Sequence, residues 1–338
     1  MVRPSLPTGL AVTLALLGVA ADWPNLHGPN RDGHSAEVGL QWAWPKAGPA
    51  VAWKLDVGSG WAGVTSSHGV AFLFHRVGDD EVLVALDPEK GTEKWKHAAR
   101  TKYRDDFNFD DGPRCTPVIA GGRVFTLGAN GDLHAVDEGK GTKLWHRNLL
   151  TDYKAAKGFF GVGASPIVIG DKLLVNVGGK GAGVVAFDVE SGKEKWKATD
   201  DAASYSSPIA ITVGGKARVA FLTRAGLVVL DPADGTVLFT KEFRARLDAS
   251  VNAASPVRNG EELFLSSSYG VGAVVLKPKG TDWDEVWAND KSLSCHYNTP
   301  VLIGDHLYGI DGRQEGGAAR LRCVEWKTGG VKWTEEKF

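Results

Sequence analysis

The chain has 338 residues, and its 39 Lys and Arg nearly cancel its 40 Asp and Glu. No net basic field exists to hold phosphates, which argues against bulk nucleic-acid binding. The 43 Gly, with frequent Val and Ala, favour many short strands joined by tight turns.

Residues 1–21 read as an export signal. Arg3 gives a short positive start, Leu10 to Ala20 is an apolar run, and Val19-Ala20-Ala21 offers small residues for cleavage before Asp22. The run is too short to span a bilayer comfortably, so no integral membrane protein is expected. Position 22 is Asp, so the usual lipid-anchor cysteine is absent there. Residues 22–50 are expected to be an extended N-terminal segment, and 51–338 to be one all-β unit. Three cysteines follow the leader: Cys115, Cys295 and Cys323. The odd count leaves at least one thiol unpaired, and isolated buried thiols are expected.

From residue 51 onward one block keeps returning: a small residue and Pro, a strand, a polar turn, two strands, Asp, Gly, then Trp. Its clearest copy runs from Ser165 to Lys197, and others begin at Thr116, Ser207, Ser255 and Thr299. An earlier copy without Pro begins near Val64. The closing aromatics Trp95, Trp145, Trp196, Phe239, Trp287 and Trp333 lie 50, 51, 43, 48 and 46 residues apart, and Trp53 lies 42 before Trp95. A repeat of this size holding four strands is the signature of a propeller blade. Near-continuous apolar strands such as Ile167-Val168-Ile169 suit sheets covered on both faces.

Between the third and fourth strands sits Asp-x-x-x-Gly: Asp87 and Gly91, Asp137 and Gly141, Asp188 and Gly192, Asp231 and Gly235, with Glu325 and Gly329 keeping the spacing. The acid can accept a backbone N–H in the turn, and Gly supplies the positive φ that closes it. Lys277 replaces the Asp in the fifth copy, so that turn is expected to be altered. The following Trp is expected to reach across to the next blade.

The segments AFDVESGKEKW, ALDPEKGTEKW and AVDEGKGTKLW resemble the repeat of the pyrroloquinoline-quinone (PQQ) propeller superfamily, over residues 51 to 332. The opening Asp22-Trp23-Pro24 with Gly28-Pro29-Asn30-Arg31-Asp32-Gly33 resembles the start of a BamB-like group in bacterial envelopes. The resemblance implies fold and an exported, periplasmic or envelope location. It implies activity poorly, because the superfamily includes enzymes and non-catalytic scaffolds. Its quinoprotein dehydrogenases have more blades, adjacent cysteines beside the quinone, and Glu, Asn and Asp ligands to calcium. This sequence has no adjacent cysteines and no haem motif. The expectation is therefore a non-catalytic binding or scaffolding propeller, monomeric and without cofactor, with a protein or glycan partner in the envelope. The alternatives are an enzyme or small-molecule binder with its site at the channel mouth, and a truncated relative without activity.

Other motifs resolve into turns. Gly163-Ala-Ser165-Pro fails the Gly-x-Ser-x-Gly elbow. Gly178-Gly-Lys-Gly-Ala-Gly183 joins two strands with no helix after it, so it reads as a hairpin. In the loop from Asp105 to Arg114, Asp106, Asn108 and Asp110 alternate like calcium ligands, but Asp111 and Pro117 stand where that pattern wants Gly and Glu. Arg114 and His296 each lie just before an inner strand, which in a propeller places them near one channel mouth.

Six copies each end in their own outer strand, yet Val51-Ala-Trp53-Lys-Leu55 is a seventh such segment ahead of the first inner strand. The expectation is six complete blades, with residues 51–55 as the outer strand of an incomplete seventh. The alternative is a closed six-blade ring in which 51–55 pairs with 329–334. The leader makes a direct prediction: exported protein will begin near Asp22 by intact-mass measurement, and retention of Met1 through Ala21 would refute it.

Overall fold

The structure, a computed structural model, describes residues 21–248, 250–313 and 319–336. Nearly all of the expected leader lies outside these residues. Six antiparallel sheets of four strands follow one another along the chain. They occupy residues 65–100, 118–148, 167–198, 209–242, 257–289 and 301–335, each running from a short inner strand to an outer one. These are blades 1 to 6.

Successive residues of the middle strands face opposite neighbours, which is why both faces had to be apolar. In blade 2, Phe125, Leu127 and Leu133 pack on Leu173, Val175 and Val185 of blade 3. The intervening Val124 and Val136 pack with Phe72, Phe74 and Leu83 of blade 1. Blades 3 and 4, 4 and 5, and 5 and 6 share cores of the same kind. Cys115, Cys295 and Cys323 are free and buried, the first two within these cores.

The repeated Trp and Gly form one joint. Trp95, Trp145, Trp196 and Trp287 each lie flat on the turn glycine of the next blade: Gly141, Gly192, Gly235 and Gly329. A Cβ on any of these glycines would come within 2.5–2.8 Å of the ring, so no other residue fits there. Each indole N–H also donates to the carbonyl just after the turn acid, on Glu138, Val189, Pro232 and Trp326, at 2.7–3.2 Å. The turn acids do what the sequence suggests; Asp137 Oδ1, for example, accepts the N–H groups of Gly139 and Lys140. Between blades 4 and 5 both halves of the joint change together. Phe239 has no N–H to donate, and the Lys277 ladder runs on to Lys279 and Asp282 instead of opening into the wider turn. Phe239 stacks on Trp283 instead, with centroids 5.7 Å apart.

Trp53 occupies the same joint on blade 1. Its ring lies on Gly91, and its N–H reaches Pro88 O at 2.9 Å. Residues 51–55 nevertheless form no strand. They hold the position of an outer strand ahead of blade 1, and among the described residues no strand pairs with them. The closed-ring alternative is not what forms: among the described residues the outer strand Val331–Glu335 pairs with Arg320–Glu325 and not with 51–55. Among the described residues, Val82, Val84 and Leu86 of blade 1 form a cluster that includes nothing from blade 6. Trp333 covers no glycine among the described residues and is 44% exposed, whereas Trp145 and Trp196 are each 9% exposed.

A second device ties the blades together near the axis. At four of the blade junctions, the small residue that opens an inner strand accepts, through its hydroxyl, the amide of its counterpart one blade earlier. Gly63 N reaches Thr116 Oγ1, Thr116 N reaches Ser165 Oγ, Ser165 N reaches Ser207 Oγ, and Ser255 N reaches Thr299 Oγ1, all at 2.9 Å. Blade 1 has Gly63 at this position, so it offers Thr299 no hydroxyl.

The seating of the rings predicts unequal costs of removal. Trp196→Ala should lose about 3–5 kcal/mol, as other large buried aromatics do. Trp333→Ala should lose under about 1 kcal/mol, in keeping with its exposure. Urea denaturation of the two variants measures both, and equal midpoints would contradict this account of the joint.

Candidate functional site

Residues 22–34 run inside the channel and fold back on themselves there. Trp23 exchanges two backbone hydrogen bonds with Ser66 of blade 1, and Pro24 O accepts Ile119 N of blade 2. The chain then turns sharply at Gly28, where φ is +84° and the Trp23 ring leaves no room for a Cβ. On the return, the buried Arg31 guanidinium donates to Pro166 O of blade 3 and to Pro208 O of blade 4 at 3.1 Å. Gly33 lies against Val301 of blade 6, and the His34 ring bonds Leu302 O at 2.7 Å. Burial pushes Arg31 down to about 9, which still leaves it charged at neutral pH. Carbonyl oxygens from two blades replace its lost hydration.

This plug turns the channel mouth into a blind cup of about 580 Å³. Leu26 and His27 form its floor, and the hydroxyl-bearing Thr116, Ser165, Ser207, Ser255 and Thr299 line its wall. Burial, with Arg31 nearby, lowers the His27 pKa from its usual value, so the imidazole is neutral at pH 7. No Asp, Glu, Lys or Cys lines the cup. The lining offers hydrogen bonds and aromatic faces, and it holds no nucleophile with a carboxylate-oriented base of the kind that covalent catalysis uses.

The rim is aromatic. Trp61, Phe107, Phe109 and Tyr297 are 61%, 50%, 65% and 54% exposed. Phe107 lies 6.1 Å from Phe109 and 5.3 Å from Phe160, and Phe160 lies 5.7 Å from Tyr205. Arg224 sits over Phe159, which packs on Phe160 and extends the cluster outward. These rings come from five separate stretches, one ahead of blade 1 and four between blades. Sequence reading passed over them because they follow no repeat. The available signal was Phe107, Phe109, Phe159 and Phe160 standing in acidic or Gly-rich loops, where no strand face calls for apolar side chains.

Arg114 does line the cup, but its guanidinium is already engaged. It donates to Gly112 O at 2.7 Å and Asp110 O at 2.8 Å, lies 3.7 Å from the Asp105 carboxylate, and stacks on Trp61 and Tyr103. Its charge therefore fastens the 105–112 loop to the mouth. His296 is buried beneath the rim, 3.1 Å from the Tyr269 hydroxyl and stacked on Tyr297. The structure does not bring Arg114 and His296 together as a pair; Tyr297 is what reaches the cup from that side.

The alternating acidic loop is organised by Asp105, which the sequence pattern had left out. Its carboxylate accepts the N–H groups of Phe109 and Asp110, and those bonds hold its pKa below the usual carboxylate value against the opposing effect of burial. Asp106 pairs with Lys157 at 2.8 Å, and Asp110 accepts the N–H groups of Gly60 and Gly112. Asn108 takes the left-handed conformation at φ 57° that closes the loop. Among the described residues, no three His, Cys, Asp or Glu side chains gather as metal ligands.

Comparison with known proteins agrees with this architecture. A family model described as outer membrane protein assembly factor BamB matches residues 78–335. The outer membrane protein assembly factor BamB of Shewanella oneidensis is 23% identical over 238 residues, covering 66% of this chain and 57% of the relative. The quinohemoprotein alcohol dehydrogenase ADH-IIG of Pseudomonas putida is 25% identical over 171 residues, covering 49% of this chain and 22% of that enzyme. The chain thus spans little more than half the length of the first relative and under a quarter of the second. The crystal structure of BamB from Moraxella catarrhalis shares the fold, with a TM-score of 0.60 at 18% identity over 86% of this chain and 81% of that one. With the family match spanning five of the six blades and most of the first, the chain belongs to the family of the outer membrane protein assembly factor BamB.

Proposed function

We propose that this protein is a non-catalytic binding module of the cell envelope, which docks a protein partner on the aromatic mouth of its propeller. The observation that carries the reading is the set of exposed rings around the cup. Soluble surfaces rarely gather so many large aromatics without a binding role, and aromatic side chains are enriched among the residues that dominate binding energy. The loops holding them are tied down by Asp105, Arg114 and the Tyr205 hydroxyl, which accepts Phe160 N at 2.7 Å. Such pre-ordering lowers the entropy lost on association. An envelope location is supported by the expected leader at 1–21 and by the family. Among the described residues, no helix is long and apolar enough to cross a membrane.

A second reading, a small-molecule binder, is favoured by the cup itself, whose volume lies within the range of roughly 300–1,000 Å³ common for ligand pockets. A PQQ-dependent dehydrogenase is not supported by the residues present, since Cys115, Cys295 and Cys323 are far apart in sequence and each is buried free.

Replacing Phe107 and Phe109 together with Ser tests the main reading. Binding to envelope neighbours captured by crosslinking from position 160 should weaken at least about tenfold, in keeping with the loss of central aromatic contacts. The denaturation midpoint should barely move, because both rings are exposed. Undiminished capture of the same protein would refute the aromatic mouth as its docking site, and a captured glycan would replace the protein partner. Reconstitution with PQQ and calcium should give no dye-linked oxidation of alcohols or sugars, and robust turnover would overturn the non-catalytic reading.

A further inference from the structure

The wall of the cup is lined by hydroxyls that are ready to donate. Thr116, Ser165, Ser207 and Thr299 each accept a backbone N–H from the blade before, which occupies one lone pair and leaves the O–H free to donate. Among the described residues no acceptor takes any of those four O–H groups. The Ser255 hydroxyl lines the same wall with no hydrogen-bond partner among the described residues, although its residue is only 5% exposed. On the floor, the His27 ring likewise makes no hydrogen bond to a described residue, and in its neutral form it carries one N–H.

The net charge facing the cup is positive. Arg31 lies close enough beneath it to lower the His27 pKa. Its guanidinium is shared among Pro166 O, Pro208 O and Asn25 Oδ1, and among the described residues no carboxylate pairs with it. Arg114, on the wall, is balanced by Asp105. No Asp or Glu lines the cup, so Arg31 is a buried cation without a carboxylate counter-ion among the described residues. A buried charge gains most from a partner of opposite sign, and an anion entering the cup would supply one.

Building on the mouth as a docking site, we propose that the cup captures the C-terminal carboxylate of the polypeptide that docks there. Residues 22–34 close the channel, so a chain entering along the axis has to end in the cup or double back. An end brings a charge of its own, which a reversed chain does not, and the O–H groups above Arg31 call for an anion. The same lining selects between the two kinds of chain end. A carboxylate accepts from several O–H groups at once, whereas an ammonium would stand against Arg31 and could use only the remaining lone pairs. Above the hydroxyls stand Trp61, Tyr205 and Tyr297, each two residues ahead of Gly63, Ser207 and Thr299, with Phe109 and Phe160 beside them. These faces suit apolar side chains on the last residues of the entering chain. Capture of a terminal carboxylate by convergent donors is a recurring mode of peptide recognition.

The probes are acetylated tetrapeptides whose last two residues are drawn from Phe, Tyr, Leu and Val. Each is made as the free acid and as the C-terminal amide and titrated into the full chain by calorimetry. At least one acid should bind one-to-one, and its amide at least about tenfold more weakly, because the charge-assisted hydrogen bonds are lost. Ser255→Ala should weaken the acid several-fold and leave the amide unchanged. The Ser255 hydroxyl takes no part in the axial relay, so the denaturation midpoint of that variant should hold. Ser255→Asp, which sets a carboxylate in the wall, should abolish binding of the acid and spare the amide. No binding by any acid, equal binding of acid and amide, or acid binding indifferent to both Ser255 variants would overturn the proposal. So would tighter binding of a peptide with a free amine and an amidated C-terminus. Phenylpropanoate binding as tightly as the best peptide would overturn it too, since the cup would then be a site for a free small acid. If partner capture still depends on Phe107 and Phe109 in any of these cases, the mouth remains a docking site and only the capture of a chain end falls.

Discussion

The structure depends on one contact: an indole lying flat on a glycine of the neighbouring blade, with its N–H on the adjacent carbonyl. A ring in that position buries a large apolar area, worth roughly 1.5–3 kcal/mol each, and also fixes the angle at which the next sheet can stand. The glycine is required on two counts: its positive φ closes the turn, and any Cβ would displace the ring. The exception between blades 4 and 5 illustrates the coupling. When the donor becomes Phe239, the acceptor turn is lost as well, and Trp283 supplies a stacking surface in its place.

A propeller built of such joints has a weak point wherever the series is interrupted. Here the interruption falls between blades 6 and 1, and the N-terminal segment bridges it from the axis. Through Trp23, Pro24, Arg31 and His34 it bonds blades 1, 2, 3, 4 and 6. Arg31 suits this task because its planar fork can serve carbonyls from two blades at once while remaining charged. The plug thus binds the ring at its centre while the Trp joints bind it at its rim. Closing the channel has a further consequence: the mouth becomes a cup with a floor, and the loops around it acquire a surface against which aromatic side chains can order.

The mouth and the seam differ in character. The mouth is bordered by the hydrogen bonds of Asp105, Arg114 and Tyr205, and its rings emerge from loops that no repeat dictates. The seam is made of repeat faces that have no packed neighbour among the described residues. Loops on a rigid scaffold are where binding surfaces diverge between relatives that share a fold, which fits a family whose members here share under a quarter of their residues with this chain.

The blades were legible in the sequence because their determinants are local and periodic. Asp-x-x-x-Gly closes a turn within five residues, alternating or continuous apolar runs define strands, and an aromatic every 43–51 residues marks the outer edge. Even the extra joint at Trp53 could be read by counting, although residues 51–55 form no strand. The functional surfaces were less legible because their contacts join residues far apart in the chain. Arg31 meets Pro208 across 177 residues, and Phe107, from the connection of blades 1 and 2, meets Phe160, from that of blades 2 and 3. Asp106, Asn108 and Asp110 have the spacing of ligands, but Lys157 and the backbone amides of Gly60 and Gly112 had claimed two of them, and neither Lys157 nor Gly60 is visible from the loop alone. The sequence by itself determined the number and kind of sheets, since those follow from short-range turn and strand chemistry. Only the tertiary structure decided that residues 22–34 fill the channel, that Arg114 is spent on its own loop, and that scattered phenylalanines form one rim, because each depends on which loops the closed packing of blades brings together.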